Sequence, residues 1–163
     1  MTSTPPEFTH LNDRGEARMV DVTEKQVTVR SATARCRVTV SEQVVSMLLS
    51  GTMPKGDALA VARIAAIQAT KRTPDLIPLC HPLAIHGVDV GVHVDAAAAQ
   101  VEIVVTVRTA DRTGVEMEAL TGASVGGLAV IDMVKGTDRL ASIAEVVLLE
   151  KLGGRSGHWV RPA

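Results

Sequence analysis

The sequence predicts an α+β fold in which helices cover one face of a ferredoxin-like, four-stranded antiparallel sheet. Val or Ile recurs at every second position over 88–94 and again over 101–107, and residues 95–100 join these two strands as a hairpin. A long helical segment, residues 113–136, follows the hairpin. The whole order is strand, helix, helix, strand, strand, helix, strand, which is the βαββαβ pattern with one extra helix.

Ahead of the hairpin, the sequence predicts one strand and two helices. Residues 27–40 are rich in Val and Thr, which favour extended backbone. A short helix follows over residues 41–49, with Ser41 as its N-cap. A second helix covers residues 57–73 and ends at Pro74, because proline disrupts a helix interior.

Both ends of the chain have an irregular composition. Residues 1–20 are polar and contain two prolines and a glycine, so we expect a mobile tail. We expect the last strand over residues 143–149. The glycine-rich segment GGRSGHW follows it, and we expect this segment to form a second tail. We therefore expect a single domain over residues 21–159, which is long enough to bury a hydrophobic core.

The predicted helix over 113–136 has Thr113 as a candidate N-cap and acidic residues in its first turn, where the helix dipole favours anions. Three glycines in its interior, Gly122, Gly126 and Gly127, each cost roughly 1 kcal/mol relative to alanine. Two explanations stay open. The glycines allow close packing inside one chain, or they let a second copy of the helix approach in a dimer.

Two carboxylates at opposite ends of this helix favour the dimer. Glu118 and Asp132 share a helix face, yet the rise per residue puts them roughly 21 Å apart. One copy therefore cannot easily bring both to one small ligand, whereas two antiparallel copies could place Glu118 of one beside Asp132 of the other. Few residues on the second face of the predicted sheet are strongly charged, which also favours oligomerisation. Two unrelated, solvent-facing carboxylates are the simpler alternative.

Composition excludes several classes of protein. The net charge is −1, and one Trp, one Phe and no Tyr leave no stacking platform, so we expect no nucleic-acid partner. The apolar stretch over residues 119–131 is too short and too rich in glycine to span a bilayer, so we expect no membrane partner. The N-terminal residues do not resemble a signal peptide, and two cysteines form no disulfide framework. We expect a reduced, cytoplasmic protein.

Two loops carry candidate site residues. Lys55 and Gly56 precede a predicted helix, whose free backbone N–H groups favour a phosphate; a solvated loop lysine is the alternative. The segment DLIPLCHP, residues 75–82, holds His81 between prolines, which suits ligand contact or acid–base chemistry, whereas a structural histidine is the alternative. We expect Cys80 to be an inert thiol. We expect no metal site, since the spacing of these residues matches no common metal motif.

Several segments together resemble one protein family. The segments are LIPLCHPL at 76–83, TGVEMEALT at 113–121 and IDMVKG at 131–136, supported by KGD at 55–57 and MVDVTEK at 19–25. In this order they are similar to the molybdenum cofactor biosynthesis protein C family, the cyclic pyranopterin monophosphate synthases, and the similarity runs from about Thr9 to Trp159.

The resemblance implies an enzyme that converts 3′,8-cyclo-7,8-dihydro-GTP to cyclic pyranopterin monophosphate and releases pyrophosphate. It implies that the domain over 21–159 is catalytic and that the ferredoxin-like subunit assembles as a homohexamer, a trimer of dimers with sites at the dimer interfaces. It implies no cofactor, with magnesium on the triphosphate left open.

The resemblance also assigns residues. Asp132 and Lys135 correspond to the catalytic pair, and Lys55 to a further essential lysine. Stabilising the pyrophosphate leaving group needs cations, for which Lys55, Arg30 and Lys71 are the candidates. The residues expected to contact the substrate or line its pocket are Leu79, Cys80, His81, Met117, Glu118, Glu116 and Arg30.

The sequence departs from the family pattern at two places. Ile131 stands where members often carry Tyr, and Gly126 and Gly127 stand where Ala-Ala is common. These departures affect packing near Asp132 and remove no charged group. The alternatives to an enzyme are a non-catalytic nucleotide-binding module, which needs the cations but not Asp132, and a purely structural oligomer.

Overall fold

The computed structural model describes residues 10–154 and 157–162. Within these residues the chain forms a five-stranded antiparallel sheet and four helices. Every predicted strand and helix is present, with bounds that differ from the predicted ones by a few residues. The elements are β1 (Thr28–Thr39), α1 (Glu42–Ser50), α2 (Ala58–Thr70), α3 (Thr73–Leu76), β2 (Gly87–Asp95), β3 (Gln100–Asp111), α4 (Glu116–Val134), β4 (Ser142–Leu152) and β5 (Trp159–Val160).

The strands lie in the order β2-β3-β1-β4-β5, and each neighbouring pair is antiparallel. The fifth strand was not predicted. It belongs to the segment expected to be a glycine-rich tail, which turns back so that Trp159 pairs with Lys151. Gly153 and Gly154 begin this reversal with left-handed φ angles of 91° and 73°. Two residues are too few to show an alternating pattern, so the sequence gives no strand signal here.

Helices α2 and α4 cover one face of the sheet and bury the core there. Helix α4 contacts α2 along its side and β1, β3 and β4 beneath it. By length and composition α4 could cross a membrane, but 56% of the tested window is buried, as in the core helix of a soluble protein. The buried hydrophobic positions alternate along the two central strands and are Ala32, Ala34, Cys36 and Val38 on β1 and Val101, Ile103, Val105 and Val107 on β3.

The three interior glycines of α4 pack inside their own chain. Gly122 and Gly126 face α2, where an added Cβ would lie 3.2 Å from the Ala66 carbonyl oxygen and 3.3 Å from Ala66 Cβ respectively. Gly127 faces β1, where an added Cβ would lie 2.5 Å from Cys36 Sγ. The first explanation, close packing within one chain, is therefore confirmed. The other, a second α4 approaching along this face, is wrong because α2 and β1 already occupy it.

The second face of the sheet is charged, contrary to the prediction. Arg35 Nη2 lies 2.6 Å from Glu145 Oε1, and Arg37 Nε lies 3.1 Å from Glu102 Oε2. Both pairs join β1 to a neighbouring strand, and a further pair joins β2 to β3. The pairs on β1 are half-buried and the pair between β2 and β3 is exposed, and all of them are satisfied within the chain, so this face gives no support to oligomerisation.

Two predicted helix boundaries are wrong. Helix α4 begins at Glu116 with Val115 as its N-cap and no side-chain cap, so Thr113 does not cap it. Helix α2 ends at Thr70, ahead of Pro74. Pro74 lies instead in the first turn of the short helix α3, where a missing N–H costs nothing.

Part of the predicted N-terminal tail, residues 1–9, lies outside the described residues. Beyond it, Leu11 forms a bridge with Ala17, and the Arg18 N–H donates to the His10 carbonyl, which closes a short hairpin. Mobility of residues 1–20 and the domain limits at 21 and 159 stay predictions.

Candidate active site

The three predicted catalytic residues meet at the C-terminal end of α4. Lys55, from the loop between α1 and α2, donates to the Asp132 carbonyl oxygen at 2.6 Å, and its Nζ lies 3.5 Å from Asp132 Oδ2. Lys135 Nζ lies 2.7 Å from Asp132 Oδ1, one helical turn further on. We call these three residues the α4 C-terminal cluster.

The two lysines keep Asp132 ionised. The hydrogen bond from Lys135, followed by the charges of Lys135 and Lys55, lowers the pKa of the Asp132 carboxyl below its ordinary value of 3.8. All three side chains face solvent, with Asp132 61% exposed. The cluster therefore offers a ligand a carboxylate flanked by two ammonium groups.

Lys55 serves this cluster rather than a phosphate site at the start of α2. Asp57 is the N-cap of α2, and its side chain accepts the Ala60 N–H at 2.9 Å. That carboxylate satisfies a free helix N–H and repels an anion from the same place. The geometry thus disfavours the predicted phosphate at this helix N-terminus.

A cavity of about 360 Å³ opens at the other end of α4, and we call it the α4 N-terminal cavity. The loop ahead of β2 forms one wall and the first turn of α4 another. Six of the residues predicted to contact substrate line it: Leu79, Cys80, His81, Glu116, Met117 and Glu118.

The same cavity has lining residues that the sequence did not single out. All of them except His10 belong to segments that carried the family resemblance, so their membership of those segments was the available signal. These residues are His10, Val20, Val22, Lys25, Leu83, Thr113 and Gly114.

His81 holds the N-terminal segment against the cavity. Its Nε2 lies 2.6 Å from the Val20 carbonyl oxygen, and because a carbonyl only accepts, Nε2 carries the hydrogen. In the neutral ring Nδ1 is then the acceptor. His81 therefore has a structural hydrogen bond and still lines the cavity, so the two alternatives for this residue are compatible.

Glu118 is a buried carboxyl at the cavity, with 3% of its surface exposed. Burial, against the lowering effect of a hydrogen bond from its own backbone N–H and with a smaller contribution from the charge of Glu116, raises its pKa to about 7. Burial, followed by the charge of Glu118, raises the pKa of the Cys80 thiol. A protonated thiol is a poor nucleophile, which supports the expectation that Cys80 is inert.

Glu116 and Arg30 have partners on the sheet side of the cavity. Lys151 Nζ on β4 lies 3.0 Å from Glu116 Oε1, an ion pair that the sequence did not predict. Arg30 lies outside the α4 N-terminal cavity and lines a second one beside it, where its Nε donates to the Asp111 carbonyl at 3.0 Å.

The structure brings the predicted residues, apart from Arg30 and Lys71, together in two places rather than one. Glu118 and Asp132 lie 14 positions apart along a continuous helix, or roughly 21 Å. The predicted separation of the two carboxylates is therefore confirmed within one chain. In the described part of the chain, no three His, Cys, Asp or Glu side chains are placed to hold a metal ion.

A protein-family model described as the MoaC family matches residues 19–154. The chain belongs to the MoaC family. The cyclic pyranopterin monophosphate synthase of Nocardioides sp. (strain JS614) is 55% identical over 163 residues, covering 99% of this chain and 100% of the relative. That of Streptomyces avermitilis is 56% identical, with coverage of 98% and 95%. Cyclic pyranopterin monophosphate synthase 2 of Mycobacterium bovis is 53% identical, with coverage of 95% and 92%.

The MoaC match contains both groups of site residues. It includes the α4 C-terminal cluster, all the residues predicted to contact substrate, and the segment from Met19 to Lys25 that closes one side of the α4 N-terminal cavity. His10 and β5 lie outside the matched residues. The family region therefore coincides with the four larger strands and their helices.

Proposed function

We propose that this chain catalyses the reaction for which its MoaC relatives are named, a phosphorus–oxygen lyase step of molybdenum cofactor biosynthesis. The substrate is 3′,8-cyclo-7,8-dihydro-GTP, and the products are cyclic pyranopterin monophosphate and pyrophosphate. The observation that carries this proposal is the pairing of a carboxylate and two lysines at one end of α4 with a ligand-sized cavity at the other.

The reaction needs two kinds of chemistry. The five-membered ring of the base opens and the base rearranges to a pterin, which requires proton transfers at nitrogen and carbon by a positioned acid and base. A hydroxyl oxygen then forms a bond to the α-phosphorus, and the bond from that phosphorus to the bridging oxygen of pyrophosphate breaks. The departing negative charge requires cations beside it.

The α4 C-terminal cluster supplies the acid and the base. Lys135 donates a proton, and Asp132, held ionised by both lysines, orients Lys135 and accepts the return proton. Lys55 stands on the other side of Asp132 and stabilises negative charge that develops in the reaction.

The α4 N-terminal cavity binds the base of the substrate. Its volume, about 360 Å³, lies in the range of small-ligand sites. Leu79, Cys80 and Met117 form its walls, while Glu118 and Glu116 present carboxyl groups to the N–H groups of a purine or pterin ring. His81 keeps the cavity closed on the side of Val20.

A complete site draws on two subunits. Within one chain the two groups are too far apart for one small molecule, so we propose that the α4 N-terminal cavity of one subunit faces the α4 C-terminal cluster of another. The assembly is a homohexamer, a trimer of dimers. The glycine face of α4 is buried within the chain, so the dimer uses another surface.

Three further properties belong to this proposal. The subunit is ferredoxin-like, which the βαββαβ order and the β2-β3-β1-β4 neighbours support. The enzyme acts in the cytoplasm on a small-molecule substrate. It carries no cofactor, because the reaction involves no net redox change, and any magnesium arrives on the triphosphate.

Turnover tests the proposal. The purified chain is mixed with 3′,8-cyclo-7,8-dihydro-GTP, and released pyrophosphate and the pterin product are measured together. We expect both in equal amounts from the native chain and neither from Asp132→Asn. Asp75→Asn, which changes an exposed carboxylate paired with Arg72, is the matched control and should remain active. Substrate binding without pyrophosphate release would favour the nucleotide-binding module instead.

A further inference from the structure

His10 lines the α4 N-terminal cavity, yet the proposed reaction gives it no role. It is exposed and lies ahead of the residues that the family model matches. The same N-terminal segment also contributes Val20, Val22 and Lys25 to the cavity, whereas the other lining residues come from the loop ahead of β2 and the start of α4. The N-terminal segment therefore forms one wall of the space proposed for the base.

A hairpin over residues 10–18, which we call the N-terminal hairpin, fixes the backbone of His10. Leu11 forms a bridge with Ala17, and the Arg18 N–H donates to the His10 carbonyl oxygen at 2.9 Å. Because this hydrogen bond joins the two ends of the hairpin, His10 lies beside the residues that lead into the cavity wall.

Asn12 closes the turn of the N-terminal hairpin. Its Oδ1 accepts the N–H groups of Arg14 and Glu16 at 3.0 Å and 2.9 Å, and its Nδ2 donates to Glu16 Oε2 at 2.8 Å. Gly15 adopts a left-handed φ of 75°, which glycine reaches without strain. The hydrogen bonds within this short segment define its shape, so the hairpin as a whole sets the position of His10.

The hairpin is tied to the rest of the cavity through Val20. Two residues after Arg18, the Val20 carbonyl oxygen lies 2.6 Å from His81 Nε2, and His81 lines the same cavity. The hydrogen bond between His10 and Arg18 and the one between Val20 and His81 thus connect the hairpin to the loop ahead of β2. Both histidines are held at one cavity by backbone contacts.

His10 differs from the other polar lining residues in what its side chain bonds. The His81 Nε2–H is committed to the Val20 carbonyl, and Glu116 is paired with Lys151. Across residues 10–154 and 157–162, the ring nitrogens of His10 have no hydrogen-bond partner. A neutral imidazole has one donor and one acceptor, so it can meet either kind of group on the edge of a purine or pterin ring.

We propose that His10 is a further substrate-binding residue, and that the N-terminal hairpin holds its imidazole against the base in the α4 N-terminal cavity. The identity of that base rests on the proposed function. His10 contributes to binding of the base, while the acid and the base of the reaction remain in the α4 C-terminal cluster.

Steady-state pyrophosphate release from 3′,8-cyclo-7,8-dihydro-GTP tests this role. We expect His10→Ala to raise KM by about threefold to tenfold, the usual effect of losing one hydrogen bond, and to change kcat by less than about twofold. His10→Gln keeps a donor and an acceptor and should recover most of the affinity. His93→Ala changes an exposed histidine on β2 that does not line the cavity, so it is the matched control and should leave both constants unchanged.

Asn12→Ala tests the hairpin separately from the ring. It removes the side chain that closes the turn and leaves His10 in the sequence. We expect KM to rise by a smaller factor than in His10→Ala. The double variant should be no worse than His10→Ala alone, because both changes remove the same contact. Two effects that multiply in the double variant would overturn the part of the proposal that concerns the hairpin.

The outcomes distinguish this inference from the proposed function. Normal turnover by the native chain with an unchanged KM in His10→Ala would overturn the His10 contact and leave the proposed reaction standing. A loss of kcat at unchanged KM would overturn it as well, since His10 would then act in the chemistry. If the native chain shows no turnover, binding of the cyclised triphosphate is measured by calorimetry. Binding that is weakened by His10→Ala but not by His93→Ala would support the contact and overturn the proposed reaction, whereas equal binding by all three proteins would overturn both.

Discussion

Lys135 is the proposed proton donor of the α4 C-terminal cluster, and we expect it to contribute little to the stability of the fold. Its Nζ bonds Asp132 at 2.7 Å on an exposed surface. We expect Lys135→Ala to slow pyrophosphate release by at least about 100-fold, the lower range for a lost acid or base. The melting temperature should barely change, because exposed ion pairs contribute little to stability. Steady-state kinetics and thermal unfolding measure the two effects.

Lys71, a candidate cation from the sequence, caps the C-terminus of α2 on an exposed surface, outside both the cluster and the α4 N-terminal cavity, so Lys71→Ala is the matched control. It should leave both the rate and the melting temperature near those of the native chain. Near-normal turnover by Lys135→Ala would remove this lysine from the reaction. A large fall in its melting temperature would make Lys135 a structural residue.

Glu118 makes the stability of the fold depend on pH. Its pKa rises from 4.5 to about 7 on folding, so the folded state holds a proton that the unfolded state releases. The associated stability is present below pH 4.5 and is lost as the pH rises through about 7. The loss amounts to on the order of 3 kcal/mol, at roughly 1.4 kcal/mol per pKa unit.

Replacing the ionisable group isolates this effect. We expect the difference in unfolding free energy between Glu118→Gln and the native chain to shift in favour of the variant as the pH rises from about 4.5 to about 8. Urea unfolding at a series of pH values measures it. Glu42→Gln, on the exposed side of α1, should give a curve parallel to the native one. If Glu118→Gln is parallel as well, Glu118 is ionised in the folded chain.

At the scale of helices and strands, the periodicity of apolar residues predicted the longer elements and missed the short ones. The strands β1 to β4 and the helices α1, α2 and α4 each contain enough residues to repeat a pattern. Strand β5 has two residues and is held only by its pairing with β4. The charged second face of the sheet was not predicted, because a cross-strand ion pair such as Arg35–Glu145 depends on how two strands are aligned. The sequence of a single strand does not contain that alignment.

Gly127 shows how the helix and the sheet constrain one another. An added Cβ would lie 2.5 Å from Cys36 Sγ, a buried atom on β1 that cannot move away. Overpacking usually costs roughly 1–3 kcal/mol, and alanine gains roughly 1 kcal/mol over glycine in helix propensity. We therefore expect Gly127→Ala to lower the free energy of unfolding by a net amount of up to about 2 kcal/mol. Urea unfolding at one pH measures the net change.

The double variant tests the cause. Gly127→Ala combined with Cys36→Ala removes the sulfur that the new methyl group would meet, so it should recover most of the lost stability beyond the additive sum. Gly136→Ala is the control, because an added Cβ there meets nothing within 4 Å. Simple additivity of Gly127→Ala and Cys36→Ala would show that the sulfur is not what excludes alanine.

The candidate site was predicted in pieces whose arrangement only the folded chain reveals. Family motifs named Asp132, Lys135 and Lys55, and the structure places them within hydrogen-bonding distance. Lys25 and Arg112 were not singled out from the sequence, because the hydrogen bond from Arg112 Nε to the Lys25 carbonyl joins segments that are far apart in the chain. The proposal that a complete site spans two subunits rests on one distance, the length of α4 between Glu118 and Asp132.

At the scale of the assembly, complementation between two inactive variants tests shared sites. Glu118→Ala and Asp132→Ala are purified, dissociated, mixed and reassembled, and pyrophosphate release is measured. In a mixed dimer one of the two sites collects both defects and the other collects neither, because each site takes Glu118 from one subunit and Asp132 from the other. Random mixing should therefore restore about a quarter of the native sites. Two batches of Asp132→Ala mixed in the same way are the control and should stay inactive. If mass spectrometry confirms mixed assemblies and no activity returns, each subunit binds and converts its substrate alone, and the roughly 21 Å between Glu118 and Asp132 must be bridged within one chain.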